Sequence, residues 1–319
     1  MALHSNSTAY LFPGQGSQVV GMGRELADAF PAARNIFQQA DELLGFSLSR
    51  LAWEGPEAEL NDTLNTQPAL FVHSIAALTV FKEAFPGSTP AYVAGHSMGE
   101  LSALVAAGVL PFADGLHLVR RRGELMKAAG NVSTGGMAAI MGLDIPAVEQ
   151  ICAQASMLTA QPPQIVQVAN DNCPGQVVIS GSRDALERAL PLLVQAGARR
   201  AIPLAVSIAA HSPLMEHSQA DFNQAVEAAP IKDPLIPIIG NVTARPLTTA
   251  EGVRADLRDQ LTHRVRWTET IQYIAAQGVN TFIELGAGSV LVGLLKRIDR
   301  GLEGITLGSP TDLQRLSAV

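Results

Sequence analysis

Short apolar runs that stop at glycine or Pro-Gly alternate with longer helical patterns along this chain. Three of the runs, residues 10–12, 92–94 and 281–283, predict strands, and glycines and then a helical segment follow each of them. This alternation is typical of α/β folds, in which helices connect parallel strands. Functional loops in such folds lie at the carboxyl ends of the strands. We therefore expect a large α/β domain with a parallel sheet and with its site residues in the loops after the strands.

The middle of the chain has a different order of predicted elements. Strands are expected at residues 137–141, 165–168, 176–180 and 200–205, helices at 145–154 and 184–195, and a turn at 171–175. The order β-α-β-β-α-β is that of the ferredoxin-like unit. A Gly-rich stretch, residues 133–136, precedes it, and residues 207–211 follow it. We therefore expect a small ferredoxin-like domain at 132–206, inserted into a large α/β-hydrolase-like domain made of residues 1–131 and 207–319.

The composition narrows the class of protein and its partners. Of the 319 residues, 47% are apolar and 16% are charged, which is enough apolar material for a sizeable core. The net charge of −7 argues against nucleic acid and anionic membranes as partners.

Cys152 and Cys173 lack the spacing of a zinc or redox motif. Residues 1–8 lack the apolar core of a secretory signal, and no apolar run is long enough to span a bilayer. We expect a cytoplasmic monomer without a metal.

A candidate nucleophile lies in Gly95-His96-Ser97-Met98-Gly99, which fits the pattern G-x-S-x-G. The segment follows a predicted strand and precedes a predicted helix at residues 100–107, which is the context that a nucleophile elbow requires. Its glycines permit a sharp turn that presents Ser97 Oγ above the sheet. The backbone N–H that follows the serine can then point at a developing oxyanion. The alternative is a Gly/Ser-rich turn without chemistry.

A second glycine-rich loop, Gly14-Gln15-Gly16-Ser17-Gln18, follows the first predicted strand. It lacks the Lys-Ser/Thr pair of a phosphate loop, and its glycines do not have the spacing of a dinucleotide-binding loop. Glycines do allow backbone N–H groups to approach an anionic oxygen closely. The loop therefore favours contact with an anion over a nucleotide site.

One arginine of the predicted helix at residues 113–129 has unusual surroundings. The residues three and four positions from Arg122 are all apolar: Leu118, Val119, Leu125 and Met126. An unpaired guanidinium is costly in such an environment. Either a carboxylate of the protein or one of a ligand must pair with it, and arginine suits bidentate recognition of a carboxylate. The residues alone leave both alternatives open.

The serine needs a base, and His211 is the preferred candidate among seven histidines. It lies in a loop after a predicted strand, where the chain returns to the large domain and where functional residues concentrate. His96 adjoins Ser97, but at an elbow its side chain is expected to point away from the nucleophile. A loop histidine taken alone is more often solvated and inert.

Taken together, these segments resemble the malonyl-coenzyme A:acyl carrier protein transacylases over nearly the whole chain. The matching segments are residues 12–18, 95–100, 122–126, 172–181, 211–215, 240–243, 260–261, 265–267 and 284–288. The resemblance implies transfer of a malonyl group from malonyl-CoA to the pantetheine thiol of an acyl carrier protein, which would supply fatty acid synthesis. It also implies a ping-pong mechanism through a malonyl ester of the serine, with no cofactor besides the two substrates and with the acyl carrier protein as partner.

The resemblance also implies roles for individual residues. Ser97 would be the nucleophile and His211 its base and then its acid, oriented by a main-chain carbonyl at Gln260. The backbone N–H groups of Gln15 and Met98 would form the oxyanion hole, and Arg122 would bind the malonyl carboxylate. The implied substrate-binding residues are Arg122, Met126, Gln260 and Ala210.

Two positions depart from the family pattern. Met98 stands where leucine is common, which matters little because the role assigned to this position is that of the backbone. Ala210 is smaller than the phenylalanine of many malonyl-selective members, so acceptance of methylmalonyl-CoA stays open. A basic rim for the carrier protein is expected among Arg199, Arg200, Lys296, Arg297 and Arg300, although solvated surface charge is the simpler interpretation.

Two alternatives to this function remain open, and a third is disfavoured by the sequence. A stand-alone transferase could serve a polyketide synthase or a malonate-using complex. A serine esterase or thioesterase would carry a carboxylate on the histidine and would lack the buried Arg122. A degenerate interaction domain would have lost Ser97 or His211, and both are present.

Overall fold

The computed structural model describes residues 7–132 and 135–317, without the side chains of residues 131 and 132. Residues 133 and 134 of the expected Gly-rich boundary, and residues 1–6 of the polar start of the chain, lie outside this range. The strands are β1 Thr8–Phe12, β2 Tyr92–Gly95, β3 Gly135–Met141, β4 Val166–Cys173, β5 Gln176–Ser182, β6 Arg200–Pro203, β7 Ile238–Ile239, β8 Pro246–Leu247, β9 Thr281–Leu285 and β10 Glu303–Leu307.

The helices surround these strands and connect them. They are α1 Arg24–Ala29, α2 Pro31–Leu44, α3 Leu48–Glu54, α4 Glu57–Leu60, α5 Thr63–Ala84, α6 Gly99–Ala106, α7 Phe112–Val132, α8 Ile145–Ala155, α9 Arg183–Gln195, α10 Glu216–Ala228, α11 Ala250–Asp259, α12 Trp267–Ala276, α13 Val290–Ile298 and α14 Pro310–Ser317. Across the described residues, none of these helices has the length and apolar character needed to cross a membrane.

The larger sheet has six strands in the order β10-β9-β1-β2-β7-β8. Its pairs are parallel except for the last, β7 with β8. Successive residues of β1 enter different cores, because Tyr10 and Phe12 pack on one face and Ala9 and Leu11 on the other. Strands buried on both faces are expected in a parallel sheet covered by helices. The fold is therefore mixed α/β with a parallel sheet, and the strands expected at residues 10–12, 92–94 and 281–283 are part of it.

The smaller sheet has four strands in the order β4-β5-β3-β6, and every pair in it is antiparallel. It is formed by the segment β3-α8-β4-β5-α9-β6, and α8 and α9 pack against each other in a separate apolar core. β4 extends to Cys173, so the turn expected at residues 171–175 shortens to the two residues between β4 and β5. Two register shifts accommodate the polar residues at the end of β4, and the N–H of Asp171 donates to Val265 O at 2.9 Å. β6 ends earlier than expected, at Pro203.

Close packing of α5 against α7 determines where the buried arginine lies. A Cβ on Gly123 of α7 would lie 3.0 Å from Thr63 O, so the glycine allows the two helices to approach closely. Pro68 has no N–H to donate to Leu64 O, and Arg120 Nη1 donates to that carbonyl at 3.0 Å instead. The contact brings Gln67 of α5 opposite Arg122 of α7.

Candidate active site

The turn between β2 and α6 presents Ser97 in a conformation that few residues other than glycine adopt. Its φ is +51°, which costs about 1–3 kcal/mol unless the surroundings enforce it. Two close backbone contacts enforce it. A Cβ on Gly95 would lie 2.0 Å from the carbonyl carbon of Gly99, and a Cβ on Gly99 would lie 2.2 Å from Phe12 O. Both glycines of the motif are therefore required by the geometry of the turn.

Asn241 stabilises this turn from the loop after β7, the strand that pairs with β2. The Ser97 N–H donates to Asn241 Oδ1 at 2.8 Å, and Asn241 Nδ2 donates to Gly95 O at 2.8 Å. Asn241 belongs to the matching segment at residues 240–243, and the sequence pattern alone indicates no role for it. The side chain spans the turn and supports the strained φ of the serine.

Ser97 and His211 are in direct contact. Ser97 Oγ lies 2.8 Å from His211 Nε2, and His211 Nδ1 lies 2.9 Å from Gln260 O and 3.0 Å from His263 O. A carbonyl oxygen can only accept, so Nδ1 carries the hydrogen and Nε2 accepts from the serine hydroxyl. Within residues 7–132 and 135–317, no Asp or Glu side chain hydrogen-bonds to Nδ1. The arrangement is a serine–histidine pair oriented by main-chain carbonyls.

The surroundings of His211 keep the imidazole neutral. Burial is the largest cause, and the nearby Arg122 and His96 add to it, so that the pKa of His211 is lowered to about 3. Gln167 Nε2 donates to His211 O at 2.8 Å and fixes the backbone, whose φ is +59°. A neutral imidazole whose Nε2 faces a hydroxyl can take its proton.

Arg122 is 1% exposed and lies directly beside Ser97. Its Nη2 donates to Ser97 Oγ at 3.0 Å, its Nη1 to Gln67 Oε1 at 2.9 Å and its Nε to Gln260 Oε1 at 3.0 Å. No carboxylate of the described chain lies within salt-bridge distance of it. Burial lowers the pKa of Arg122 to about 10, which still leaves the guanidinium charged at neutral pH. Neutral amides and a hydroxyl thus hold a buried cation that a ligand carboxylate could pair with.

The loop after β1 approaches the same place. A Cβ on Gly14 would lie 2.5 Å from His96 O, so this loop touches the elbow at a glycine. Thr63 Oγ1 donates to Gln15 Oε1 at 2.8 Å and holds that side chain. In the described part of the chain, neither the Gln15 N–H nor the Met98 N–H donates a hydrogen bond. Both N–H groups are therefore free to donate to a ligand oxygen.

These residues lie in a cleft of about 490 Å³. The small sheet and the start of α13 also contribute to its walls, through Asn170, Val178 and Val290 among others. The predicted site residues that line it are Gln15, Ser97, Met98, Arg122, Met126, Ala210 and His211. Gln260 is fully buried behind Arg122 and does not line the cleft. The described residues include no group of three or more His, Cys, Asp or Glu that could hold a metal ion.

The five basic residues expected at the rim are exposed. None of Arg199, Arg200, Lys296, Arg297 and Arg300 lines the cleft itself. Arg297 is connected to it, because its guanidinium donates to Gln176, which does line the cleft. His96 Nε2 donates to Asn172 Oδ1 at 2.8 Å and makes no hydrogen bond with Ser97 among the described residues.

The chain is similar to known proteins of one family. Residues 9–305 match the family described as acyl transferase domain. A protein of Bacillus subtilis (strain 168) named malonyl CoA-acyl carrier protein transacylase is 46% identical over 306 residues, which cover 96% of this chain and 95% of that protein. A malonyl CoA-acyl carrier protein transacylase of Escherichia coli (strain K12) is 44% identical over 305 residues, 95% of this chain and 96% of that protein.

Solved structures agree with the sequence relatives. The crystal structure of an acyl carrier protein S-malonyltransferase from Vibrio cholerae superposes with a TM-score of 0.93 at 42% identity, covering 97% of this chain and 99% of that one. A malonyl-transacylase in complex with a type II PKS acyl-carrier protein superposes with a TM-score of 0.91 at 43% identity, covering 97% and 98%.

Proposed function

The chain belongs to the acyl transferase domain family, and we propose that it carries out its reaction through a malonyl ester on Ser97. It is an acyl carrier protein S-malonyltransferase, which moves malonyl groups from malonyl-CoA to acyl carrier protein for fatty acid or polyketide synthesis. The observation that carries the proposed mechanism is the contact of Ser97 Oγ with both a neutral histidine and a buried arginine.

The first half-reaction acylates the serine. Ser97 Oγ attacks the thioester carbonyl of malonyl-CoA while its proton passes to His211 Nε2. The N–H groups of Gln15 and Met98 donate to the oxyanion of the tetrahedral intermediate. The carbon–sulfur bond then breaks, and the thiolate of CoA takes the proton from His211 Nε2. The products are a malonyl-Ser97 ester and free CoA.

The second half-reaction runs the same steps with a different thiol. The phosphopantetheine thiol of the carrier protein gives its proton to His211 Nε2 and attacks the ester carbonyl. The bond between the carbonyl carbon and Ser97 Oγ breaks, and the serine oxygen recovers the proton from the imidazole. After both half-reactions, Ser97 and His211 have regained their starting protonation states, and the malonyl group has moved from CoA to the carrier protein. These steps use no group besides the two substrates.

Arg122 would select the acyl group. A guanidinium can bind a carboxylate through two parallel hydrogen bonds, and malonyl-CoA supplies a carboxylate where acetyl-CoA has a hydrogen. Gln67 and Gln260 hold the guanidinium without neutralising it. Met126 and Ala210 would complete the acyl pocket, and Gln260 would act from behind Arg122 rather than on the substrate.

The domain organisation proposed from sequence fits this mechanism. Residues 132–206 would form a ferredoxin-like domain inserted into an α/β-hydrolase-like domain of residues 1–131 and 207–319, and the strand order β4-β5-β3-β6 supports the ferredoxin-like assignment. The catalytic cleft would then lie between the two domains, which is a common place for a binding site.

A serine esterase or thioesterase is the alternative from another reaction class. Such an enzyme would orient His211 with a carboxylate and would have no reason to bury an arginine beside the nucleophile. The carbonyls on Nδ1 and the position of Arg122 favour the transferase.

Intact-mass analysis tests the proposal. After incubation with malonyl-CoA, the protein should carry one malonyl group, which Ser97→Ala abolishes. Addition of the phosphopantetheinylated carrier protein should move that group to the carrier. Release of free malonate without a malonylated carrier would favour the hydrolase.

A further inference from the structure

A closed ring of hydrogen bonds joins the nucleophile to its base through the backbone and Glu100. The Ser97 N–H donates to Asn241 Oδ1 at 2.8 Å, and the Asn241 N–H donates to Glu100 Oε1 at 3.4 Å. Gln260 Nε2 donates to Glu100 Oε2, and Gln260 O accepts from His211 Nδ1 at 2.9 Å. His211 Nε2 closes the ring on Ser97 Oγ. The carboxyl of Glu100 is therefore the acceptor shared by the two sides of the dyad.

Glu100 and the Ser97 carbonyl together decide which way the Gln260 amide faces, because Gln260 Nε2 donates to Glu100 and also to Ser97 O, at 3.3 Å. The two ends of an amide have nearly the same shape, so their hydrogen-bond partners determine the orientation. Gln260 Nε2 donates to Glu100, which leaves Oε1 to accept from Arg122 Nε at 3.0 Å. In the opposite orientation, an NH2 group would face the N–H of the guanidinium, and two donors would meet. Glu100 thereby fixes the acceptor of Arg122 through Gln260, although among the described residues it makes no hydrogen bond with the arginine itself.

Glu100 performs this role in a buried carboxyl pair. It is 0% exposed, and its neighbour Asp256 is 4% exposed. Asp256 Oδ1 accepts from the Val242 N–H at 3.3 Å, whereas Oδ2 has no partner among the described residues. Burial, and then the charge of Asp256, raise the pKa of Glu100 well above its usual range. A protonated Glu100 can donate to Asp256 and still accept from Gln260, which satisfies the orphaned oxygen.

We propose that Glu100 is a positioning residue for malonyl transfer, a buried hydrogen-bond acceptor that fixes Gln260 and through it both Arg122 and His211. The proposal rests on the function proposed above, since it concerns selection of the malonyl carboxylate. Its consequence is specific. Loss of the acceptor should harm the transfer of malonyl more than the transfer of acetyl, because acetyl transfer needs His211 but not Arg122.

The test compares kcat/KM for malonyl-CoA with that for acetyl-CoA. Glu100→Met keeps the length of the side chain and removes the acceptor, so it should lower the malonyl-to-acetyl ratio by roughly 10-fold, as for loss of one buried hydrogen-bond partner. Glu100→Gln keeps one oxygen as the acceptor for Gln260 and loses the longer, 3.4 Å contact with the Asn241 N–H, so it should restore the ratio to within about 3-fold of wild type. If Glu100→Met does not fold, Glu100→Asp replaces it, because its carboxyl is withdrawn by one methylene.

A matched control separates positioning from general damage. Glu284 is also a fully buried glutamate, but it accepts from the backbone of Leu291 and Val292 and lies outside the ring. Glu284→Met should lower thermal stability and leave the malonyl-to-acetyl ratio at the wild-type value. An unchanged ratio in folded Glu100→Met would overturn the proposal, as would equal loss in Glu100→Gln. A wild-type enzyme that did not distinguish malonyl from acetyl would instead contradict the proposed role of Arg122.

Discussion

Arg122 Nη2 lies 3.0 Å from Ser97 Oγ, so the proposed carboxylate-binding group contacts the proposed nucleophile directly. Both groups would act on one small acyl chain. Once Ser97 carries the malonyl ester, Oγ is a weaker acceptor, and the malonyl carboxylate is a charged partner only a few bonds away. The guanidinium can therefore exchange its contact with the serine for an ion pair without leaving Gln67 and Gln260.

Replacement of Arg122 should change which acyl group is transferred. An uncompensated buried charge costs about 3–5 kcal/mol, and the wild-type site would bear that cost whenever acetyl-CoA occupies it. Arg122→Ala should therefore lose malonyl transfer, by roughly 100-fold or more in kcat/KM, and keep or gain acetyl transfer. Kinetics with both acyl-CoAs check this.

Two further variants sharpen that test. Arg122→Lys should restore malonyl transfer only in part, because a point charge cannot form the two parallel hydrogen bonds. Arg121→Ala is the matched control, since Arg121 is half-exposed and pairs with Glu124 on the surface. Equal loss of malonyl and acetyl transfer in Arg122→Ala would mean that the arginine is structural.

The pH dependence of acylation should lack the inflection of an ordinary histidine. Because the pKa of His211 is lowered to about 3, the base is already neutral at pH 5. The kcat/KM for malonyl-CoA should accordingly stay flat from about pH 5 to 8, whereas a free imidazole would be half protonated near pH 6.5. In Arg122→Ala, loss of a nearby positive charge should raise the pKa of His211. A wild-type midpoint near pH 6.5 would contradict this assignment.

The same histidine should make folding stability depend on pH. Its pKa is depressed on folding, so the unfolded chain binds the proton more tightly, and stability is lost as pH falls below about 6.5. Between pH 7 and 5 the loss attributable to His211 should be roughly 2 kcal/mol. The free energy of unfolding, measured in urea at both pH values for wild type and His211→Asn, gives this difference directly. Identical pH slopes in the two proteins would contradict the prediction.

Local patterns in the sequence predicted the elements that local contacts determine. The elbow is one of them, because its motif residues are close in sequence and the contact that requires Gly95 is with Gly99, four positions away. Burial of Arg122 was visible in its apolar helical neighbours. Its partners were not visible, since Gln67 and Gln260 lie 55 and 138 positions away.

Long-range pairing explains the features that the sequence pattern missed. Asn241, which fastens the elbow, is 144 positions from Ser97. The end of β4 has the polar sequence pattern of a turn, yet the Asp171 N–H donates to the carbonyl oxygen of Val265, 94 positions away. The helical positions of Glu100 and Asp256 did not indicate that the two carboxyls meet, and only the assembled fold brings them together.

The elbow should tolerate no side chain at Gly99. An added Cβ would lie 2.2 Å from Phe12 O, a backbone atom that cannot move without the strand. Gly99→Ala should therefore cost at least about 2 kcal/mol of unfolding free energy and reduce acylation of Ser97. Gly293 in α13 has nothing within 4 Å of its added Cβ, so Gly293→Ala should stabilise by about 0.5–1 kcal/mol. Urea denaturation compares the two variants, and similar stabilities would contradict the steric argument.

Ala210 should leave room for a substituent on the acyl group. It lines the cleft next to His211, and one methyl group is worth about 1–3 kcal/mol of discrimination. The kcat/KM for malonyl-CoA should then exceed that for methylmalonyl-CoA by no more than about a few hundred-fold. Ala210→Phe should increase this ratio. Direct competition between the two substrates measures the ratio. A much stronger wild-type preference for malonyl-CoA would remove the prediction.

Docking of the carrier protein should depend on basic residues near the cleft, although the chain as a whole is acidic. Acyl carrier proteins are acidic, so a net charge of −7 would repel them unless a local basic surface compensates. Arg297 is the candidate with a structural link to the site, through Gln176 in the cleft wall. Lys296 is its neighbour on the same helix, α13.

Charge reversal should separate the two half-reactions. Arg297→Glu should lower kcat/KM for the carrier protein by roughly 5- to 10-fold at low salt, and the difference from wild type should shrink near 0.5 M salt, where the Debye length is only about 4 Å. Acylation of Ser97 by malonyl-CoA should change less. Lys232→Glu is the matched control, because Lys232 is also exposed. Its N–H donates to the carbonyl of Val109, which follows the C-terminal end of α6, whereas Ser97 precedes the N-terminal end of that helix. Equal effects of the two reversals, or transfer that does not respond to ionic strength, would contradict electrostatic docking at α13.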